Sequence, residues 1–337
     1  MLLEQASCSY SIVIPTYSRP ARLRNCLESL TRLKSPEGGF EVVVVDDGSP
    51  QPLQPVVADF ASRLPVTCLR QENAGPATAR NFGASRARGK YLAFVDDDCC
   101  VDADWLVAFQ EAFAGDPDGL VGGHTINGLP ENRYSAASQF ILDLVYDHYN
   151  PRPDAVTFLA SNNIAMPAKG FYELGGFDAE RFSTAGGEDR DLCDRWITRF
   201  GTMRRTEKAI VRHYHSMNLG SFWRQNYTYG RGAWTFHRLR SESGMPRLHR
   251  DARFHCSVPL LLTRRLSRES WRSALSVLPL LFVWQIANAS GFFCEGLRNG
   301  RTSSRRTKPT EGPAEPSPPA NSPEGGLVAS PTRQPLT

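Results

Sequence analysis

Short, unbroken apolar runs alternate with helix-period stretches along the first part of the chain. Ser11–Ile14 and Phe40–Val45 read as strands buried on both faces, because a parallel strand covered on each side is continuously rather than alternately hydrophobic. Ala21–Leu33 puts Leu23, Cys26, Leu27, Leu30 and Leu33 at helical spacing, and Leu53–Leu64 and Ala77–Ala87 predict two further helices. Val66–Leu69 and Tyr91–Val95 are the remaining strands of this part, and Asn73-Ala74-Gly75-Pro76 is a turn. Strands and helices in strict alternation, joined by short loops, predict a parallel, doubly wound sheet.

The second half is less regular. Trp105–Phe113 predicts a helix, Leu120–Gly123 a strand, and Ser138–Tyr149 a helix with weaker periodicity. Phe158–Met166 reads as a strand with a polar middle, Ala168–Leu174 as a short helix, and Ala209–Val211 as a strand. From Glu188 a helix begins with an acid-rich first turn, which its macrodipole favours. Trp223–Gly232 mixes aromatics with Arg224 and Arg231, which fits a mobile flap over a binding site, a wall of one or a packed amphipathic helix.

No charged residue lies between Arg272 and Glu295, and Arg298, Arg301, Arg305, Arg306 and Lys308 follow. That apolar stretch is nearly long enough to cross a bilayer, but Pro279, Gln285, Asn288 and Ser290 make it a poor free-standing span. Membrane-surface contact through 273–308, a single span and a buried helix all remain open. From about Thr302 the chain is Pro, Ser, Gly and Thr with few aromatics, a disordered composition.

The chemistry sits at the predicted strand ends, which carry Pro15-Thr16-Tyr17, Asp46-Asp47 and Asp96-Asp97-Asp98. Ligands of open α/β sheets bind beyond such ends, so the three loops should converge. Three adjacent carboxylates raise one another's pKa unless a cation sits among them. Oxygen donors with room for phosphates suit magnesium or manganese, although a solvated acidic turn fits the triplet alone. The chain has 337 residues and a net charge of only +4, and it shows no nucleic-acid-binding motif. Its eight cysteines include no CxxC pair, so reduced thiols fit better than zinc or a disulfide framework, and the N-terminus lacks a secretory pattern.

SIVIPTYSRP, VVVVDDGS, ENAGPATARNFGASRARGKYLAFVDDD and GGEDRDLCDRW, in that order, strongly resemble the inverting glycosyltransferases of family 2. The resemblance runs from about Ser11 to about His215, with Ser18 where the family usually has Asn. It implies a GT-A fold, an α/β doubly wound mixed sheet made of a nucleotide-binding half (about 9–100) and an acceptor half (about 101–220). A helical, membrane-associated segment (221–300) and a disordered tail (301–337) would follow. It further implies a nucleotide-diphosphate-sugar donor, a glycan or lipid-linked acceptor at the cytoplasmic membrane face, and Mn2+ or Mg2+ as cofactor.

By the same resemblance Pro15, Thr16 and Tyr17 line the nucleotide pocket and one of Asp46 and Asp47 meets the base. Asn73, Gly75 and Arg80, with Ala79 and Asn81, match the loop and helix start near the nucleotide. Asp96 would contact ribose or metal, and Asp98 would ligate the metal. Asp97, counted with the nucleotide-binding residues, is the variable middle position and is expected to be exposed. Asp189 is the general base with Glu188 second, Asn162 or Asn163 touches the donor sugar or satisfies backbone, and His213 or His215 approaches the metal or diphosphate. A nucleotidyltransferase would open with a Gly-rich, basic phosphate loop, which PTYSRP is not. An inactive sugar-nucleotide-binding module would not need all of these acids.

Overall fold

The apolar runs form strands because each alternates its side chains between two covered faces. Ile12 and Ile14 of β1 (Cys8–Thr16) point to one side of the sheet and Val13 to the other, and all three are fully buried. This computed structural model describes residues 8–152, 156–182, 186–244, 251–258 and 271–306. Its remaining strands are β2 (Phe40–Asp46), β3 (Val66–Arg70), β4 (Gly89–Val95), β5 (Cys99–Val101), β6 (Leu120–Asn127), β7 (Asn163–Pro167) and β8 (Met203–His213). They make one eight-stranded sheet in the order β3-β2-β1-β4-β7-β6-β8-β5.

β3, β2, β1 and β4 are parallel, as the strand–helix alternation predicts. β7 then runs antiparallel to both β4 and β6, so the whole sheet is mixed. The registers Thr16↔Asp46 and Val13↔Phe94 bring the ends of β1, β2 and β4 to one edge.

Helices α1 (Pro20–Leu30), α2 (Gln54–Ala58) and α4 (Trp105–Gly115) cover one face, packing Leu23, Leu27, Trp105 and Phe109 on Ile12, Ile14 and Val44. On the other face, α6 (Ala168–Glu173) and α7 (Glu188–Phe200) pack Phe171 and Trp196 on Val13, Phe94 and Met166. The helix α3 (Pro76–Ser85) leads into β4. A third cluster joins α5 (Arg133–Tyr149), α8 (Leu219–Glu242), α9 (251–258) and α10 (Trp271–Arg306).

Four expectations are corrected. The helix expected over Leu53–Leu64 stops at Ala58, and turns continue to Leu64. The strand expected over Phe158–Met166 begins only at Asn163. The side-chain amide of Asn150 accepts from the N–H groups of Thr157 and Phe158 and donates to the Phe158 carbonyl, taking the place of a strand partner. Helix α5 begins five residues before Ser138, at Arg133, because Asn132 caps it by accepting from the N–H groups of Tyr134 and Ser135. Helix α10 runs on to Arg306, past the expected start of the tail at 301; residues 307–337 lie outside the described residues.

The apolar helix has two unlike faces. Val277, Leu280, Leu281, Trp284 and Ala287 are buried, while Phe282 (69% exposed), Phe293 (68%) and Leu297 (67%) face outward with Ile286. Val277–Asn299 is long and apolar enough to cross a membrane, yet a third of its apolar window is buried within the protein. Contacts group residues up to Leu297 into one compact unit.

Candidate active site

The ends of β1, β2 and β4 open into a cavity of about 760 Å3, which also meets α5, the start of α7, the residues after β8, and α8. Its lining includes Pro15, Thr16, Tyr17, Asp47, Arg80, Asp96, Asp97, Asp98, His213, Glu188 and Asp189. Residues far apart in the chain thus share one hollow, because parallel strands bring their loops to the same edge.

The acid triplet is divided among different partners. Asp96 accepts from Arg80 Nη2 at 2.7 Å, and the same guanidinium reaches Glu188 Oε1 at 3.4 Å. Arg80 is buried, with its guanidinium 5.5 Å from the Phe177 ring, so it ties the β4 end to the start of α7. Asp97 is only 2% exposed, which corrects the expectation of an exposed middle residue. It accepts from Thr16 Oγ1 at 2.7 Å and from Arg19 Nη1 at 3.1 Å. Burial pushes its carboxyl up to about 6, against the pull of Arg19.

Asp98 Oδ2 accepts from Arg22 at 3.0 Å, and its Oδ1 lies 3.2 Å from His213 Nε2. Burial alone would raise this carboxyl, but the His213 hydrogen bond and the charges of His213 and Arg19 hold it well below the usual carboxylate range. The His213 and His215 rings stack at 5.0 Å. Burial, then the charge of His213, bring His215 down to about 4, and its buried Nδ1 has no hydrogen-bond partner among the described residues.

Asp98, Cys99 and His213 offer ligand atoms within 4.8 Å of one another. Burial holds the Cys99 thiol well above its ordinary value, so the donors this cluster brings without giving up a thiol proton are a carboxylate oxygen and an imidazole nitrogen. That pair suits Mn2+ better than Mg2+, which favours an all-oxygen octahedral shell. Asp96, expected beside Asp98 as a ligand, is outside this cluster among the described residues, because Arg80 draws its carboxylate the other way.

At the second strand end the two acids separate. Asp46 accepts from the N–H groups of Ser49 and Leu53 and from Arg70 Nη1 at 2.5 Å, and it does not line the cavity. Asp47 lines it, and accepts from Gln71 Nε2 and from the N–H groups of Ala74 and Gly75. Asn73 and Gly75 are also absent from the lining; Asn73 Nδ2 donates to the Asp47 carbonyl and carboxylate. Both residues therefore act through Asp47.

Asp189 Oδ1 accepts from the Arg190 N–H at 2.8 Å, and the Ser161 N–H donates to the same carboxylate. Burial, then the charge of Glu188, push the Asp189 carboxyl up to about 7. Gly186 and Gly187 lead into Glu188 with φ of 107° and 99°, a conformation that favours glycine. A Cβ on Gly232 of α8 would lie 1.8 Å from the Gly186 carbonyl oxygen, so the loop rests directly on α8. Of the two asparagines, Asn162 lines the cavity with a buried Oδ1 that has no hydrogen-bond partner among the described residues. Asn163 is absorbed by structure: it accepts from Trp105 Nε1 and donates to the Ala209 carbonyl.

Sequence reasoning missed Arg19, Arg22 and Arg190. Arg19 stands inside PTYSRP, but nothing local marks its target, which lies 78 residues downstream. Trp223–Gly232 is part of helix α8, with Tyr229 turned into the cavity and its hydroxyl accepting from Gln225.

Residues 11–174 match the family model described as Glycosyl transferase family 2. The chain is 32% identical over 210 residues to a validoxylamine A glucosyltransferase of Streptomyces hygroscopicus subsp. limoneus, covering 54% of this chain and 46% of the relative. It is 30% identical over 230 residues to a pre-mycofactocin glycosyltransferase of Mycobacterium tuberculosis, covering 66% and 46%. The chain thus spans about half the length of these curated relatives. Among solved structures it is similar to a Pyrobaculum calidifontis mannosyltransferase in complex with GDP-Man and Mn2+, with a TM-score of 0.60, 16% identity and 86% of each chain covered. That similarity shows the fold, a GT-A-type mixed sheet.

Proposed function

From the match of residues 11–174 to the model described as Glycosyl transferase family 2, we propose that the chain is an inverting, metal-dependent glycosyltransferase using a nucleoside-diphosphate sugar. One observation carries this reading: a single cavity collects Asp96, Asp98 and His213 together with Glu188 and Asp189. An acceptor hydroxyl beside Asp189 passes its proton to that carboxylate while its oxygen attacks the anomeric carbon. The bond from that carbon to the nucleoside diphosphate breaks, and its electron pair leaves with the phosphate oxygen. One displacement served by one base inverts the anomeric centre. A carboxyl raised to about 7 is a stronger base than an ordinary aspartate.

The other residues position. Glu188 accepts from the Gly186 N–H at 2.6 Å and meets Arg80, which links the base's loop to Asp96. Asp98 and His213 would hold the divalent ion, Mn2+ before Mg2+, whose charge neutralises the leaving diphosphate when bound. Asp47, not Asp46, is the acid that meets the nucleotide base, because only Asp47 faces the cavity with Pro15, Thr16 and Tyr17. The donor belongs to the class that GDP-Man represents in the Pyrobaculum complex.

The acceptor is a glycan or lipid-linked glycan at the cytoplasmic face of a membrane. The outward apolar face of α10, followed in sequence by Arg298, Arg301, Arg305, Arg306 and Lys308, suits contact with an anionic lipid surface.

The test is nucleoside-diphosphate release from pooled UDP-, GDP-, dTDP- and CDP-sugars with Mn2+. Asp189→Asn should keep the thermal shift given by nucleoside diphosphate plus Mn2+ and lose about 100- to 10,000-fold in turnover. Parent-rate turnover in that variant would remove Asp189 from the mechanism. If none of the four diphosphates shifts the unfolding temperature with Mn2+, the donor-site reading fails.

A further inference from the structure

Past Asp189 the walls of the cavity change character. Helix α5 presents Ile141, Leu142 and Val145 to it, and Phe158, Phe254 of α9 and Trp284 of α10 also line it. Branched aliphatic side chains give the hydroxyls of a sugar nothing to bond, and desolvating those hydroxyls against them is costly. The charged groups at this end are engaged by the protein itself. Asp251 accepts from Arg190 at 2.5 and 2.6 Å, from His237 Nε2 at 2.6 Å, and from the Tyr149 hydroxyl. Arg240 pairs with Asp194. What this end offers a ligand is therefore mainly apolar wall, edged by the neutral side chains of Ser138, Gln139 and Asn288.

Position supports the same reading. Trp284 sits on the inner face of α10, and Phe282 and Ile286 stand on its outer face. One helix diameter, about 10 Å, thus separates the chamber from the apolar outer surface. The chamber is continuous with the space around Asp189, so one molecule can occupy both.

We propose that the acceptor is amphiphilic: its hydroxyl-bearing head lies at Asp189 and its aliphatic chain fills the chamber between α5 and α10. The placement of the head rests on the transferase reading above, whereas the chain site stands on the chamber alone.

The test uses the full chain and butyl, hexyl and octyl β-glucosides below their micelle concentrations, with affinity read by calorimetry. A buried methylene contributes about 0.8 kcal/mol, or roughly fourfold. Octyl glucoside should bind saturably and at least about tenfold tighter than butyl. Val145→Phe, which fills the chamber with another apolar group, and Leu142→Gln should both abolish that chain-length dependence. The paired outer-face variant Phe282→Glu with Phe293→Glu should keep it.

Affinity that ignores chain length overturns the proposal. So does chain binding that survives in both chamber variants, or that is lost only in the outer-face variant. The nucleoside diphosphate–Mn2+ thermal shift, measured on every variant, reports folding. If chain binding behaves as expected while no diphosphate binds, the transferase reading fails and the chain site stands.

Discussion

The nucleotide end and the chamber end of the cavity both pair their charges within the protein but differ in what their walls offer a ligand. At the nucleotide end nearly every charge already has a fixed protein partner: Asp97 has Thr16 and Arg19, Asp96 has Arg80, Asp98 has Arg22 and His213. Such a site is preorganised, with its dipoles set before a ligand arrives. Around Asp189, Asn162 Oδ1 and Gln225 Oε1 line the cavity with no hydrogen-bond partner among the described residues; past them the charges are paired again, Asp251 with Arg190 and His237, and the walls are largely aliphatic and aromatic. Unpaired buried groups cost stability, so they belong where a ligand completes them. The first end reads as a fixed device for diphosphate chemistry, and the second as a surface fitted to one acceptor.

The largest expected effect breaks the link between these ends. Arg190, whose N–H holds the base, is sandwiched by Phe236 at 4.2 Å and Tyr149 at 5.2 Å and is anchored by Asp251. Burial would raise the Asp251 carboxyl, but His237, Arg190 and Tyr149 hold it far below the usual range. Asp251→Ala leaves Arg190 and His237 uncompensated and should cost about 3–5 kcal/mol in denaturant titration. Asp59→Ala, which removes an exposed partner of Arg24, should cost under about 1 kcal/mol. Equal costs would mean that the Asp251 cluster does not tie α7 to the C-terminal helices.

The nucleotide end was the more legible part of the sequence. Strands buried on both faces leave an unmistakable run, as in FEVVVV, and their ends lie at one edge by topology alone. Pairing was not legible: that Asp46 serves Arg70 and the Ser49 loop while Asp47 faces the cavity depends on which way each residue points at a strand end. The chamber end was hidden for a different reason. Ile141, Leu142 and Val145 look like ordinary core residues of α5, and only the placement of α9 and α10 leaves space in front of them. Contacts between glycine and backbone that seat α8 on α10 are equally silent; a Cβ on Gly230 would lie 1.9 Å from the Asn288 carbonyl oxygen.

A smaller effect sharpens the contrast through pH. Asp189 must be deprotonated to take a proton, so kcat/KM should rise about tenfold per pH unit up to about 7 and level off above it. Stability should move the other way. The folded carboxyl is raised above its ordinary value of 3.8, so between that value and about 7 the native state holds a proton that the unfolded chain has lost. Stability therefore falls as pH rises through that window, and Asp189→Asn should raise the unfolding temperature above pH 7 while lowering turnover. An acid limb near pH 4, with no gain in stability from the Asn variant, would place the working base elsewhere.

The smallest effect concerns Arg224 of α8. Arg19, Arg80, Arg190 and Arg240 also line the cavity, and each has a carboxylate partner. Arg224 lines it too, exposed, and forms no ion pair or hydrogen bond among the described residues. A cation held for no internal partner is available to an anionic part of a substrate. Arg224→Gln should therefore raise one substrate's KM about fivefold, close to 1 kcal/mol, and the difference from the parent should shrink as salt rises. Stability should change by less than about 0.5 kcal/mol, as for any surface substitution without contacts. Arg19→Gln, which strips Asp97 of its charged partner and leaves it Thr16, should instead lose stability and donor binding together, so a matching profile for the two variants would erase the distinction between the fixed end and the fitted one.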